Sequence, residues 1–247
     1  MLFTAIEHLG RYITLLRNMF SRPENVGMYW RETLRQMNDI GVGSLLIILI
    51  ISVFIGAVTA VQFAYQLDTG LIPKYYVGYI VRDSTIIELA PTISCLVLAG
   101  KVGSSLASEI GGLRQKEQID AMEVMGINTA SYLVAPKIIA AMIVVPLLII
   151  FSAALAILGG YIAAVYGGMV SDSDYVLGVN SFFAEYNVFM MLVKAVVFAF
   201  ILTSVSCYMG YYAYGGSIEL GKASTQAVVT SNILILLADY LLATVLT

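Results

Sequence analysis

The sequence predicts an all-α integral membrane protein: an N-terminal interfacial amphipathic helix, five transmembrane helices, and a short charged cytoplasmic helix between spans two and three. The 247 residues are 60% hydrophobic and only 12% charged, with a mean hydropathy of +0.88. A soluble domain is nearer to half apolar and a quarter charged, so lipid must solvate part of this surface. Long uncharged runs also recur along the chain, and the charges cluster between them, as in multi-pass proteins.

Residues 1–40 are predicted to lie at the membrane interface rather than to cross it. Apolar side chains recur at helical spacing in the first 20 residues, at Leu2, Ile6, Leu9, Ile13 and Leu16. Such an amphipathic helix lies in the plane of the interface. Pro23 interrupts it, and a second segment, 24–39, carries Tyr29 and Trp30, which suit the headgroup region. No apolar core of signal-peptide type is expected here.

Residues 41–247 are predicted to form the five-span domain. The expected spans are 41–65, 84–108, 138–169, 188–214 and 224–246. The first is long enough to cross at a tilt. The second is the weakest by hydropathy because it contains Glu88, Pro91 and Lys101, and the third is over-long, with a kink expected at Pro146.

The distribution of Lys and Arg predicts a cytoplasmic N-terminus and a periplasmic C-terminus. With that orientation, ten of the 13 basic residues fall in or beside inner segments. The three on the outer side are Lys74, Arg82 and Lys194. Positive residues accumulate on the cytoplasmic side of membrane proteins, so the charged stretch at 109–126 is expected inside.

The stretch EIGGLRQKEQIDAMEVMG, residues 109–126, is predicted to be that cytoplasmic helix. Gly111 and Gly112 are expected to loosen it from span two, and Gly126 suits the position after a helix end. On a helical wheel Lys116, Asp120 and Glu123 share one face, with Lys116 and Asp120 spaced as a pair, while Ile119, Met122 and Met125 lie roughly opposite. We interpret it as a docking helix for a cytoplasmic partner; a solvated loop helix that contacts nothing is the alternative.

Residues 98–137, LAGKVGSSLASEIGGLRQKEQIDAMEVMGINTASYLVAPK, resemble the signature of MlaE-type permeases. These are the membrane subunits of ABC transporters that work with MCE (mammalian cell entry) domain proteins. The agreement includes Ala99-Gly100, Gly103-Ser104, 109–111, 117–122 and Met125-Gly126. The departures are mild, with Lys101 and Lys137 where Arg is usual and Ser108 where Ala is usual; in the segment IIELAP, Ile87 stands where Arg is often found.

The resemblance implies a phospholipid-transport permease of the bacterial inner membrane, with a role in outer-membrane lipid asymmetry. It implies a homodimer that carries two separate ATPase subunits inside and an MCE ring on the periplasmic side. Since plastids use related permeases, a bacterial source is not required. The resemblance makes 109–126 the ATPase-coupling helix, with candidate contacts at Glu109, Arg114, Lys116, Glu117, Asp120 and Glu123.

Glu88 is the principal candidate for the lipid pathway, because an ionisable group within a span usually faces a cavity or a partner. Pro91 is expected to free a backbone carbonyl near it. By resemblance, Glu88 lies near an outward-facing lipid cavity, and the weaker candidates from span one are Val58, Val61, Gln62 and Tyr65. The alternative is that Glu88 simply meets water. Lys194 is expected to snorkel to headgroups, and Asp239 to be solvated or locally hydrogen-bonded.

Small residues recur every fourth position in two spans, which lets helix backbones approach closely in lipid. They are Ala99, Gly103, Ala107 and Gly111 in one span and Gly159, Ala163 and Gly167 in the other. We expect these stripes to pack within the subunit, with a dimer seam as the alternative.

No metal site, catalytic site or cofactor is predicted in this chain. Cys95 and Cys207 lie in apolar runs, and the single histidine is His8. GSIELGKA, residues 216–223, imitates a phosphate-binding loop but lacks the final hydroxyl and the preceding strand, so it is expected to be a cytoplasmic turn. ATP and Mg²⁺ therefore belong on the partner ATPase, and the net charge of −3 argues against nucleic acid binding. The alternative functions are an ion-coupled secondary transporter and a membrane-embedded lipid-modifying enzyme.

Overall fold

The computed structural model describes residues 2–19, 26–67 and 72–246, with only the backbone for 2–6 and 26. The described residues form eight helices and no strand. They are α1 (Leu2–Met19), α2 (Val26–Gln66), α3 (Tyr76–Gln115), α4 (Gln118–Val124), α5 (Ala130–Tyr166), α6 (Asp172–Asn180), α7 (Glu185–Tyr211) and α8 (Ser217–Leu246). Among these, α2, α3, α5, α7 and α8 are long and apolar enough to cross a membrane. The predicted five-span, all-α class is confirmed.

The helices extend beyond the predicted spans. α2 joins the predicted interfacial segment and the first span in one helix, and α3 begins eight residues before the predicted second span. α8 begins at Ser217, so most of the expected turn at 216–223 is helical instead. The physical reason is that hydropathy detects only the lipid-embedded part of a helix, whereas backbone hydrogen bonds continue the helix beyond it.

α2 and α5 pack against each other through small residues. Gly56 of α2 faces the backbone of Ala156, and Gly159 of α5 faces the backbone of Val53. Ser52 and Ser152 add a hydrogen bond of 2.7 Å between the two helices. The close approach is what small residues permit in lipid, where packing replaces the hydrophobic effect between helices.

We expect Gly159→Ala to destabilise the bundle by about 1–3 kcal/mol, because the added Cβ would collide with the Val53 carbonyl. Gly43→Ala in α2 is the matched control, since nothing lies within 4 Å of a Cβ at Gly43. Thermal unfolding in detergent should show a lower midpoint for the first variant alone. Equal midpoints would contradict the packing described here.

The two ends of the bundle are held by different contacts. At one end, Arg82 of α3 donates to the carbonyls of Val179 and Ser181, both at 2.7 Å, and so fixes the connection between α6 and α7. At the other end, α1 docks on α7 through hydrogen bonds between His8 and Tyr208 and between Tyr12 and Ser204. The first is called the α6 end below, and the second, where α4 also lies, the α4 end.

Candidate functional site

Three ionisable side chains meet between spans near the α6 end. Lys194 of α7 lies 2.7 Å from a carboxylate oxygen of Glu88 in α3 and 2.7 Å from one of Asp239 in α8. Its side chain is fully buried, that of Asp239 is 9% exposed and that of Glu88 is 47% exposed. Thr92 donates to the second Asp239 oxygen at 3.1 Å. We call Glu88, Lys194 and Asp239 the ion cluster.

The local structure of α3 prepares a site for the lysine. Thr85–Leu89 is a π-helical turn, and Pro91, which follows, cannot donate a backbone hydrogen bond. Lys194 Nζ donates to the Ile87 carbonyl at 3.2 Å, which confirms the expectation that Pro91 frees a carbonyl nearby. The ammonium therefore donates hydrogen bonds to Ile87 and Glu88 and forms an ion pair with Asp239.

The prediction for Lys194 is wrong, and of the two alternatives for Asp239, solvated or locally hydrogen-bonded, only hydrogen bonding is found, from Thr92. Lys194 does not snorkel to headgroups, and Asp239 is not solvated, because each is the other's partner inside the bundle. A rise of 1.5 Å per residue puts the three cluster residues about 10–18 Å from the ends of their helices. Charges of opposite sign at similar depth in three spans were the signal in the sequence that could have identified the cluster.

The four pathway candidates from α2 lie apart from the ion cluster's polar contacts. Val58 is exposed, and Val61, Gln62 and Tyr65 line an open groove of about 490 Å³ at the α6 end. Lys74 and Met169 form its other side. This groove, which we call the α2 groove, is apolar with a basic rim.

The predicted coupling segment is not one helix. α3 continues through Gly111 and Gly112 to Gln115, so these glycines do not loosen it; Gly111 is instead buried against Leu220 of α8. The break comes at Lys116–Glu117, where Glu117 adopts φ +57° before α4 begins. Gly126, at φ +80°, ends α4, and the amides of Gly126 and Ile127 bond the carbonyls of Glu123 and Met122. That confirms the predicted end.

Arg114 anchors α4 to the rest of the bundle. Its guanidinium lies 2.9 Å from Asp120 and 3.7 Å from Glu123. It also lies over the rings of Tyr211 and Tyr214, 5.7 and 4.9 Å from their centroids, and donates to the Tyr214 hydroxyl. Cation–π contacts of this kind add to the ion pairs.

The predicted pairing within the segment is therefore wrong. Asp120 pairs with Arg114 and not with Lys116, because Lys116 lies outside α4. Glu123 is also engaged, since Tyr211 donates to it at 2.9 Å. Each carboxylate thus has a partner within the bundle, while about half of each side chain remains exposed.

Glu109 has an internal partner as well. Lys137 of α5, which is 3% exposed, lies 2.7 Å from a Glu109 oxygen whose side chain remains half exposed. The pair borders a cavity of about 450 Å³ that Met122, Met125 and Tyr132 also line. The cavity separates α4 from the start of α5.

The surface left for a partner is the tip of α4 and the residues around it. Lys116 and Glu117 are exposed, and so are Val124 and Met125, at 89% and 68%. The predicted apolar face is only partly correct: Ile119 is buried as expected, but Met125 is not. We call Lys116, Glu117, Val124 and Met125 the α4 tip.

The small-residue stripe of α3 lies inside the subunit. Ala99, Gly103, Ala107 and Gly111 are all buried, and their neighbours belong to α7 and α8. Gly103 faces Ser206, and Gly210 of α7 faces the backbone of Ala107. Within the ranges that the structure describes, no cluster of three potential metal ligands is present.

Comparison with known proteins finds a permease family model and relatives that are permeases. A family model for permease MlaE matches residues 33–245. A probable ABC transporter permease protein of Rickettsia bellii is 37% identical over 215 residues, which cover 87% of this chain and 83% of the relative. The intermembrane phospholipid transport system permease protein MlaE of Haemophilus influenzae is 32% identical over 239 residues, covering 96% of this chain and 91% of its own length.

A plastid protein is also similar. Protein TRIGALACTOSYLDIACYLGLYCEROL 1 of Arabidopsis thaliana is 31% identical over 218 residues, 87% of this chain and 61% of its own length. The family match includes the ion cluster, α4 and all or most of each of the five long apolar helices. The chain therefore belongs to the MlaE family of ABC transporter permeases.

Proposed function

We propose that this chain is the permease subunit of a transporter that moves phospholipid between the inner membrane and the outer envelope. A separate ATPase drives it from the cytoplasm, and an MCE-domain protein receives or delivers lipid on the periplasmic side. The name of the Haemophilus relative supports the lipid class. The absence of a phosphate-binding loop from the sequence supports a separate ATPase.

The observation that carries the proposal is the continuity of α3. Glu88 lies near one end of this helix and Arg114 near the other, separated by about 39 Å at 1.5 Å per residue. A partner that moves α4 therefore moves the helix that carries part of the ion cluster. The two π-helical turns in α3, Thr85–Leu89 and Ala99–Gly103, are sites where such a helix can adjust.

Glu88 is the member of the ion cluster available to a lipid headgroup. One of its oxygens pairs with Lys194, while about half of the side chain is exposed. A half-exposed carboxylate in a span can accept from a headgroup ammonium or release Lys194 toward a phosphate. Movement of α3 would then change the affinity of the site for lipid.

A homodimer is part of the proposal. In their most apolar windows, α2 and α8 are only 33% and 17% buried, against 50–56% for the other three spanning helices. Phe54, Val58 and Tyr65 lie on the exposed side of α2. A second copy against α2 and against the face of α8 that carries Ile233, Leu236 and Tyr240 would enclose the α2 groove and place the two ion clusters on either side of one lipid cavity.

The α4 tip is the proposed contact with the ATPase. We expect the double change Val124→Asp with Met125→Asp to reduce co-purification of the ATPase roughly tenfold or more, because two apolar contacts are replaced by charges that would be buried. Pull-down of the tagged permease measures the amount of ATPase that co-purifies.

Val245→Asp is the matched control. Val245 is 79% exposed but lies in the last turn of α8, at the α6 end. Retention of the ATPase by the double variant would refute docking through the α4 tip. Reversal of Asp120 and Glu123 would be a poorer test, since it also places lysines beside Arg114.

The proposed orientation has the α4 end in the cytoplasm. An impermeant amine reagent applied to intact cells should modify Lys74, which is exposed at the α6 end, and spare Lys116. Permeabilised cells provide the control, in which both react. Modification of Lys116 in intact cells would invert the orientation and remove the ATPase from this side.

A further inference from the structure

A second groove lies on the outside of the bundle and is lined by none of the residues of the ion cluster or of the α2 groove. α1, α7 and α8 enclose about 430 Å³ there, a volume typical of small-ligand sites. Its walls are almost entirely apolar and include Leu9, Ile201, Val205, Leu234, Leu237 and Leu241.

A polar cup adjoins this groove at the α4 end. The cup holds about 270 Å³ and shares His8, Tyr208 and Met209 with the groove, so the two cavities are continuous. Tyr212, Glu219, Lys222 and Gln226 line the rest of it. One amphipathic cavity therefore has an apolar body along the spans and a polar head where α1 lies.

The charges of the cup are of both signs and are not paired with each other. Lys222 has no ion pair among the described residues, and Glu219 accepts only from the Gly216 amide, at 3.1 Å through one oxygen. The nearby cation Arg11 is already paired with Glu7. The cup thus offers one ammonium and one carboxylate oxygen to a ligand.

We propose that the cavity formed by α1, α7 and α8 binds one phospholipid whose headgroup contains both a phosphate and a primary ammonium, as phosphatidylethanolamine does. Lys222 receives the phosphate, Glu219 receives the ammonium, and an acyl chain fills the apolar groove. This lipid lies outside the transport path and joins α1 to the spanning helices. The site does not depend on the ATPase or on the direction of transport.

Lipid retention by the purified permease, with its partners where they co-purify, tests the proposal. Native mass spectrometry after addition of equal amounts of phosphatidylethanolamine and phosphatidylglycerol should show preferential retention of the first. Lys222→Gln should weaken retention of both lipids about threefold to fivefold, the effect of a partly exposed ion pair. Glu219→Gln should remove the preference and leave phosphatidylglycerol retention unchanged.

Two further variants separate this site from general lipid contact. Arg35→Gln removes an exposed cation of α2 outside the cavity and should leave the retention of both lipids unchanged. Leu237→Trp, at a position 55% exposed on the groove, should fill it and reduce retention of every lipid. Equal retention of both headgroups in the unmodified protein would mean that only boundary lipid is present. A photo-crosslinker at Leu237 that captures a partner's transmembrane helix in place of lipid would also overturn the proposal.

Discussion

Lys194→Met is expected to destabilise the protein by about 3–5 kcal/mol, the cost of leaving buried charges without their partner. The change leaves Asp239, at 9% side-chain exposure, and Glu88 without a counter-ion between α3, α7 and α8. It also removes the donor to the Ile87 carbonyl. Thermal unfolding in detergent micelles should show this loss of stability. Lipid transfer in reconstituted vesicles should also be lost.

Lys137→Met is the matched control for Lys194→Met. Lys137 is equally buried, but it pairs with one carboxylate, Glu109, whose side chain is 48% exposed and can be solvated by water. Lys137→Met should therefore destabilise the protein clearly less than Lys194→Met does. A similar loss for the two variants would contradict the energetic difference that we assign to the ion cluster.

A triple variant separates stability from function. Glu88→Gln and Asp239→Asn, combined with Lys194→Met, remove all three charges, and replacement of a whole buried ion group is often close to neutral for stability. We expect folding to recover while lipid transfer stays low, because the charges that would meet the headgroup are gone. Recovery of transfer would make the cluster purely structural and would remove Glu88 from the lipid pathway.

The fold could be predicted well from the sequence, and the reason is physical. Bilayer thickness fixes the length of an apolar run that can cross the membrane, so the number and order of the five spans follow from the hydropathy along the chain. Helix ends were less predictable, because nothing in hydropathy limits a helix outside lipid: α3 passes through Glu88, Pro91 and Lys101 and continues to Gln115.

The partners of the site residues were not predictable in the same way. The pairs that join Lys194 to Glu88 and Asp239 span 106 and 45 positions of the chain, and helical periodicity carries no information on such pairs. The same holds for Arg114, where the helical wheel assumed one continuous helix and so paired Asp120 with Lys116. The left-handed conformation of Glu117 breaks that helix. Glycine is the usual residue in that conformation, and a glutamate gives no such signal in the sequence.

Arg114→Ala is expected to uncouple ATP hydrolysis from lipid transfer. The guanidinium holds α4 to α3 and to the end of α7 through two ion pairs and two ring contacts. Loss of about 1–2 kcal/mol from these contacts lowers the ratio of anchored to released α4 by a factor of roughly 5–30. Hydrolysis should continue, while the number of lipids moved per ATP falls.

The anchor through Arg114 can be distinguished from ATPase docking because the α4 tip is unchanged in this variant. The ATPase should therefore co-purify with Arg114→Ala as with the unmodified chain, in contrast to the double aspartate change at Val124 and Met125. Arg114→Lys retains the charge but loses the planar stacking on Tyr211 and Tyr214, so transfer should be intermediate. If Arg114→Ala moves as many lipids per ATP as the unmodified protein, movement of α4 must reach the spans by another route, of which the Glu109–Lys137 pair is the nearest.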